Sequence, residues 1–397
     1  LAQLANTPYL HIDNIDSKGY QVWAQQILAG DWLPRRHFYQ SPLYAYYLAF
    51  TYGLFGTSTW TPRIIQILLG SCSAAFLYGL GTKLFSRRAG AIAAVLIAVY
   101  GPVILEEIVL AKTALVICGG LSFFTLLVVG LPRRGLPLVG AAGAVLGLTI
   151  VGSGQWLPVL LATSAYVAFW SARPAGRRRA SLGGALLAGG LAVILPVAAW
   201  NSYWGGGLIL TSADAGLNLY IGNNALTTGL PGRPRGVRDV PEFEEADSRG
   251  LAEQEAGMAL TPAATSRYWS RRALAFVVQN PSRFLVTVAR KFIVLWNCYE
   301  IPDSYQYTFM RAEFVPGLRG CQSFATVGPL ALLGMVLFSR RRSLAPLYLV
   351  TLVYLGTVLM FYVRARYRMP AVPFLILFAA AAVDWLMTAV TSQRWKS

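Results

Sequence analysis

Histidine is almost absent from this chain: His11 and His37 are the only two. That excludes a histidine-rich metal centre and removes the commonest general base from consideration. Acidic residues are also scarce, 17 Asp and Glu against 34 Lys and Arg in 397 residues. Four cysteines do not make a disulfide scaffold. Cys72 and Cys118 lie in apolar runs and read as packing residues, while Cys298 and Cys321 share one region where a disulfide stays open as an option. There is no Walker loop, no HExxH, no nucleophile elbow and no CxxC pair, so the common soluble-enzyme chemistries are excluded. Charged residues make up only 13%, against about 25% in soluble domains. The basic excess is no sign of nucleic-acid binding. It sits in Arg pairs and triplets between hydrophobic runs, with no basic domain outside them.

What the chain has is hydrophobic length: 55% of its residues are apolar. The pattern predicts an all-α, polytopic membrane protein. Candidate spans are 63–85, 89–105, 108–130, 137–152, 156–171, 182–200, 321–338, 344–362 and 369–390, about nine transmembrane helices. The first residue is Leu1, and no hydrophobic run precedes the first loop, so an N-terminal span is expected to be missing from this sequence. Arg87-Arg88, Arg133-Arg134, Arg173 with Arg177-Arg178-Arg179, Arg340-Arg341-Arg342, and Arg394 with Lys396 alternate with the other loops and mark the cytoplasmic side. Four regions follow: an outer loop with juxtamembrane helices (1–62), a transmembrane bundle (63–200), a long outer loop with interfacial helices (201–320), and C-terminal transmembrane helices (321–397). The stretch 273–297 resembles a tenth span. Parity and its Pro281, Arg283, Arg290 and Lys291 assign it instead to helices lying in the outer interface.

This topology sorts the acids. Sixteen of the seventeen face the outer side, and Asp384 is the exception. Acid–base work must then come from outer carboxylates, with Arg and Lys as electrostatic clamps. Asp16 leads, at the start of an interfacial helix with Tyr20 one turn on and Asp13 one turn before. The competing reading is that Asp13 or Asp16 only caps that helix. Glu106 and Glu107 fall in a tight outer turn, where two carboxylates between apolar helices need a use or a partner; one could face Lys112. Arg364, Arg366 and Arg368 lie on the outer side against the charge bias, a fit for phosphate, with headgroup snorkelling as the alternative. Lys291 has the same two readings. The segment TSADAGLNLYIGNNALTTG is dense in Gly and Asn and suits a tight, polar, ligand-facing loop.

At these residues the chain resembles the bacterial membrane glycosyltransferases of family 39. That superfamily uses polyprenyl-phosphate sugars and includes protein O-mannosyltransferases and aminoarabinose transferases. DSKGYQVWAQQILAGDW, with Asp16, Tyr20 and Ala24, resembles the first outer loop. FYQSPLYAYYLAFTYGLFG, RIIQILLG with Arg63, YGPVILEEIVLAKTAL, NLYIGNNALTTG, LTPAATSRYW, RKFIVLWNCYEIPD and RARYRMPAVP follow in the family's order. Each pattern is weak alone; together, in this order, they are specific. The chain departs from the family in having Ser17 directly after Asp16 and Gln40-Ser41 before a single Pro42.

The resemblance implies inverting transfer of a sugar from a polyprenyl-phosphate donor to a hydroxyl on a lipid, glycan or protein. The expected place is the outer face of a bacterial cytoplasmic membrane. Asp16 would be the general base, with Asp13, Glu106, Glu107 and Tyr20 supporting the acceptor or a divalent metal. Arg364, Arg366, Arg368 and Lys291 would hold the donor phosphate. A metal requirement and the acceptor stay open. The alternatives are a transporter or flippase of lipid-linked glycans, and a ligase that moves a whole glycan from a pyrophosphate carrier. Nearly charge-free spans and one-sided acids weigh against the transporter. A catalytic acid in the first loop weighs against the ligase.

Overall fold

A computed structural model describes residues 15–133, 135–170 and 177–391. Asp13, the flanking His11, and Arg134, Arg173, Arg394 and Lys396 lie outside them. Among the described residues the chain is helical throughout. The only pairing of extended backbone is one isolated bridge, Tyr100 with Gln322. This is an integral membrane protein. Five helices are long and apolar enough to cross a membrane: Trp60–Leu84, Thr113–Arg133, Arg177–Gly205, Arg342–Met360 and Ala365–Thr391. Leu136–Gly152 and Phe324–Leu337 are shorter apolar helices beside them.

The chain opens with two short helices, α1 (Ile15–Leu28) and α2 (Leu43–Phe55), before the long α3 (Trp60–Leu84). Tyr20, Ala24 and Ile27 of α1 bury against Tyr44, Ala45 and Leu48 of α2. Their spacing is the helical one. The expected span at 89–105 is broken. α4 (Arg87–Ala98) ends, and α5 (Gly101–Ile108) restarts with Pro102 in its first turn. The break is held by Gln322, whose backbone N–H donates to Val99 O at 2.8 Å and whose carbonyl accepts from Gly101 N at 2.9 Å. Glu106 and Glu107 therefore stand on a helix and not in a turn. α6 (Thr113–Arg133), α7 (Leu136–Gly152), α8 (Leu157–Phe169) and α9 (Arg177–Gly205) complete the first bundle. α7 and α9 meet backbone to backbone: a methyl group on Gly143 would overlap the Leu186 carbonyl, and one on Gly189 the Gly140 carbonyl. Small residues permit this close approach.

Residues 206–323 carry α10 (Ala215–Gly222), α11 (Pro241–Ala256), α12 (Pro262–Gln279) and α13 (Pro281–Leu295). α13 turns Lys291 and Thr287 inward and leaves Arg283 and Arg290 exposed. Lys291 is fully buried and Thr287 nearly so, while Leu285, Val286, Phe292 and Ile293 are exposed. That arrangement suits a helix bathed in lipid. α14 (Phe324–Leu337), α15 (Ala345–Met360), the single turn Ala365–Arg368 and α16 (Val372–Thr391) close the fold. α16 is buried along its first half, from Val372 to Ala382.

Asp384, the one acid on the basic side, has local partners there. Ser86 donates to it at 2.6 Å and Arg88 lies 3.8 Å away. All four cysteines are free thiols, so Cys298 and Cys321 are not bridged.

Arg368 ties the closing turn to the rest. It pairs with Glu300 at 2.7 Å, donates to the Leu295 and Asn297 carbonyls at 2.7 and 2.8 Å, and stacks 3.7 Å from the Phe324 ring centroid. Both partners of the pair are almost fully buried. Removing one strands the other's charge, which costs about 3–5 kcal/mol. Arg368→Ala should therefore lower the thermal unfolding midpoint sharply, a loss that an unchanged melt would contradict.

Candidate active site

Asp16 sits in the first turn of α1, facing the closing turn after α15. Arg366 donates to its carboxylate. The same guanidinium lies 2.6 Å, Nε to Oδ2, from Asp303. Arg364 pairs with the other Asp303 oxygen and with Asp239 at 2.9 Å. These contacts bring together residues from the two ends of the chain. Burial pushes the Asp16 carboxyl up, but the charge and hydrogen bond of Arg366, helped by Lys112 and Arg364, outweigh it and hold the group below the usual carboxylate range. Asp16 is thus an ion-paired, oriented side chain whose charged form is favoured.

Three cavities meet here. A polar one of about 270 Å³ is lined by Asp16, Tyr20, Lys112, Asp214, Arg364 and Arg366 among others. A groove of about 360 Å³ shares Lys112, Asp214, Asn218, Tyr362 and Tyr367 with it and adds Leu157, Pro158, Leu208 and Leu210. A small cleft of about 30 Å³ joins Asp16 and Arg366 to Glu106 and Tyr305. Tyr20 is buried one turn after Asp16, edge-on to Tyr44 at 5.1 Å, where it walls the polar cavity.

The adjacent glutamates separate. Glu106 is buried in the cleft, with Tyr305 donating to Oε1 at 2.6 Å and no partner on Oε2. Burial raises its carboxyl above the usual range despite hydrogen bonds from Thr113 and Tyr305. Glu107, about 100° round the helix, turns toward Gly70 of α3 and away from the cavity; burial raises it to about 8. No described carboxylate forms an ion pair with Lys112, so neither glutamate is its partner.

Two expected phosphate-binding residues are elsewhere. Arg368 is spent on Glu300 and backbone carbonyls. Lys291 is fully buried, donating to Asn223 Oδ1 at 3.2 Å and to the Leu359 and Phe361 carbonyls at 3.1 and 2.7 Å. All three of its donors are used, and burial lowers it to about 8. In their place the cavities contain Lys112, on the short link between α5 and α6. Burial and Arg366 lower its pKa to about 8, while Asp214 and Asp16 oppose them.

Asp214 and Asp303 were not singled out by the sequence patterns. Asp303 is the last residue of the RKFIVLWNCYEIPD motif, and Asp214 stands in the Gly/Asn-rich segment as a nominal helix cap. Yet Asp214 makes no capping bond to α10. Its carboxylate accepts from Ser212 at 2.6 Å and faces the cavities. Burial raises it to about 6, against Ser212 and Lys112, which lower it. Among the described residues no cluster of three or more His, Cys, Asp or Glu is arranged to hold a metal ion. Asp16 is paired with Arg366, and Glu106 accepts a hydrogen bond from Tyr305.

Residues 39–200 match the family model of dolichyl-phosphate-mannose-protein mannosyltransferase. The fold is similar to the Archaeoglobus fulgidus oligosaccharyltransferase with Zn and sulfate, at TM-score 0.55 and 14% identity over 95% of this chain and 46% of that one. It is also similar to AglB from the same organism in complex with an inhibitory peptide and a dolichol-phosphate, at TM-score 0.50 and 14% identity over 96% and 47%. ArnT from Cupriavidus metallidurans bound to undecaprenyl phosphate aligns at TM-score 0.39 and 18% identity over 93% and 73%. The chain spans about half the length of the archaeal structures. No curated protein matches the sequence. The motif resemblance and the family match agree.

The raised Asp214 carboxyl has a consequence for stability. A carboxyl whose folded pKa exceeds its unfolded value of about 3.9 destabilises the fold as pH rises through that window, fully so above about 6. Asp214→Asn should therefore stabilise the protein at pH 7.5 by about 2–3 kcal/mol, with no gain at pH 4. Thermal melts at the two pH values check the sign; equal gains at both would contradict it.

Proposed function

We propose that the protein transfers a sugar from a polyprenyl-phosphate donor to a hydroxyl acceptor, with inversion, at the outer face of a bacterial cytoplasmic membrane. The carrying observation is the convergence of Asp16, Lys112, Arg364 and Arg366 on one polar cavity that continues into a groove with an apolar wall. The family match over residues 39–200 supports the donor class.

In this reading the prenyl chain lies along Leu157, Pro158, Leu208 and Leu210, and its phosphate meets Lys112. The donor is already activated by its phosphate. One base and one cationic hold then suffice for a single displacement at the anomeric carbon. Asp16 takes the acceptor proton. Arg366 keeps the carboxylate ionised and aimed. Arg364 and Arg366 rest on Asp303 and Asp239, so an entering phosphate exchanges one set of anionic partners for another. Glu106 and Tyr20 shape the acceptor side. The regions 1–62 and 201–320 supply the outer face of the site, and 63–200 and 321–397 the membrane-spanning frame.

Purified Asp16→Asn, with an unchanged melt, should lose at least about 100-fold in turnover; normal turnover sinks the base assignment. Lys112→Ala should raise the donor KM more than tenfold, whereas a drop in kcat alone would remove Lys112 from the phosphate site. Mass spectrometry of the product separates one added sugar from a transferred block. Flipping of lipid-linked glycan in liposomes without product would favour a transporter instead.

A further inference from the structure

Asp214 is the carboxylate that faces both the polar cavity and the apolar-walled groove; Asp16 faces only the former. It stands beside Lys112 in both linings, where the donor's phosphate lies in the reading above, on which this inference rests. Two observations separate Asp214 from an ordinary loop aspartate. It leaves its helix uncapped although it occupies the cap position, and Ser212 fixes its carboxylate at 2.6 Å. The backbone under it is also pinned: Ala213 and Asp214 donate their N–H groups to the Phe38 and Tyr39 carbonyls at 3.0 and 3.2 Å.

We propose that Asp214 is a second catalytic carboxylate of this site, a general acid that protonates the departing prenyl phosphate. In the step, the bond from the anomeric carbon to the phosphate oxygen breaks and its electron pair stays on that oxygen. The proton of the Asp214 carboxyl moves to the phosphate. The acceptor oxygen bonds to the anomeric carbon, and its proton passes to Asp16. Asp16 ends protonated and Asp214 ionised, and water in the open cavity resets both.

The chemistry of the two groups is matched. A phosphate monoester dianion takes up one proton near pH 6, and burial brings the Asp214 carboxyl to about 6. Lys112, Glu244, Tyr20 and Tyr39 act on it electrostatically, and Tyr362 and Tyr367 share its cavities. A bound phosphate adds a further negative charge beside it and favours its protonated form. Asp16, clamped by Arg366, stays ionised. Two carboxyls with opposed proton affinities in one site are the arrangement that acid–base catalysis requires.

The test uses the full chain in lipid nanodiscs with a prenyl-phosphate-linked sugar, across pH 5–9. Asp214→Asn should lower kcat at least about 100-fold, abolish the alkaline limb that sets in near pH 6 and leave only the fall that Lys112 causes near 8, and keep the donor KM within about threefold. Asp214→Glu should restore part of the rate together with the alkaline limb. Turnover of Asp214→Asn within threefold of the native protein overturns the proposal. So does a slow variant whose alkaline limb is intact, since that marks a structural role. A melt of the Asn variant at or above the native one excludes misfolding as the cause. A native protein that releases no prenyl phosphate from this donor overturns the transfer reading and this inference with it; activity in the native protein with an unaffected Asn variant overturns the inference alone.

Discussion

One guanidinium holds the site together. Arg366 spans Asp16, from the first described helix, and Asp303, from the segment before α14, while its neighbour Tyr367 walls both cavities. A charge in so enclosed a place is tolerated only because carboxylates surround it. The same pairing favours the ionised form of Asp16, so the interaction that closes the fold at this end is also the one that would prepare the base of the proposed transfer. Arg364 extends the pairing to Asp239 at the approach to α11, which fastens the long 206–323 excursion to the closing turn.

Much of this was legible in the sequence because charge is rare here, and a rare thing must be explained. Asp16 and Tyr20 stood out by helical spacing, and Arg364 and Arg366 by lying on the wrong side for a topogenic signal. The bundle followed from hydrophobic length, and the reading of 273–297 as interfacial helices from its Pro, Arg and Lys; that Lys291 turns inward did not. What pattern could not deliver was direction. RARYR places three arginines two residues apart, and a helical turn sends Arg368 into the core toward Glu300 while Arg364 and Arg366 meet the cavity. Glu106 and Glu107 diverge for the same reason. Lys291 looked like a phosphate ligand because sequence shows charge but not the carbonyls that consume it.

Asp214 was hidden for a different reason. An aspartate before a short helix is a cap in most settings, and only the unused capping bond separates the two meanings. Its raised carboxyl works against the fold at neutral pH, as is common where activity and stability conflict. Lys112 was overshadowed by the two glutamates near it, yet it is the cation that touches both cavities without a described carboxylate partner.

The exposed apolar side chains of α13 bear on how such a protein meets its substrate. Lys291 bonds to the carbonyls of Leu359 and Phe361, next to Thr357 and Phe361 on the wall of the groove. A helix that exposes Leu285, Val286, Phe292 and Ile293 is thus tied through Lys291 to the groove's rim. If the proposed donor is the substrate, its encounter with the protein is two-dimensional, a matter of lateral diffusion and of mole fraction in the bilayer. Volume concentration is then the wrong measure, and adding inert lipid dilutes the substrate even when nothing else in the tube has changed.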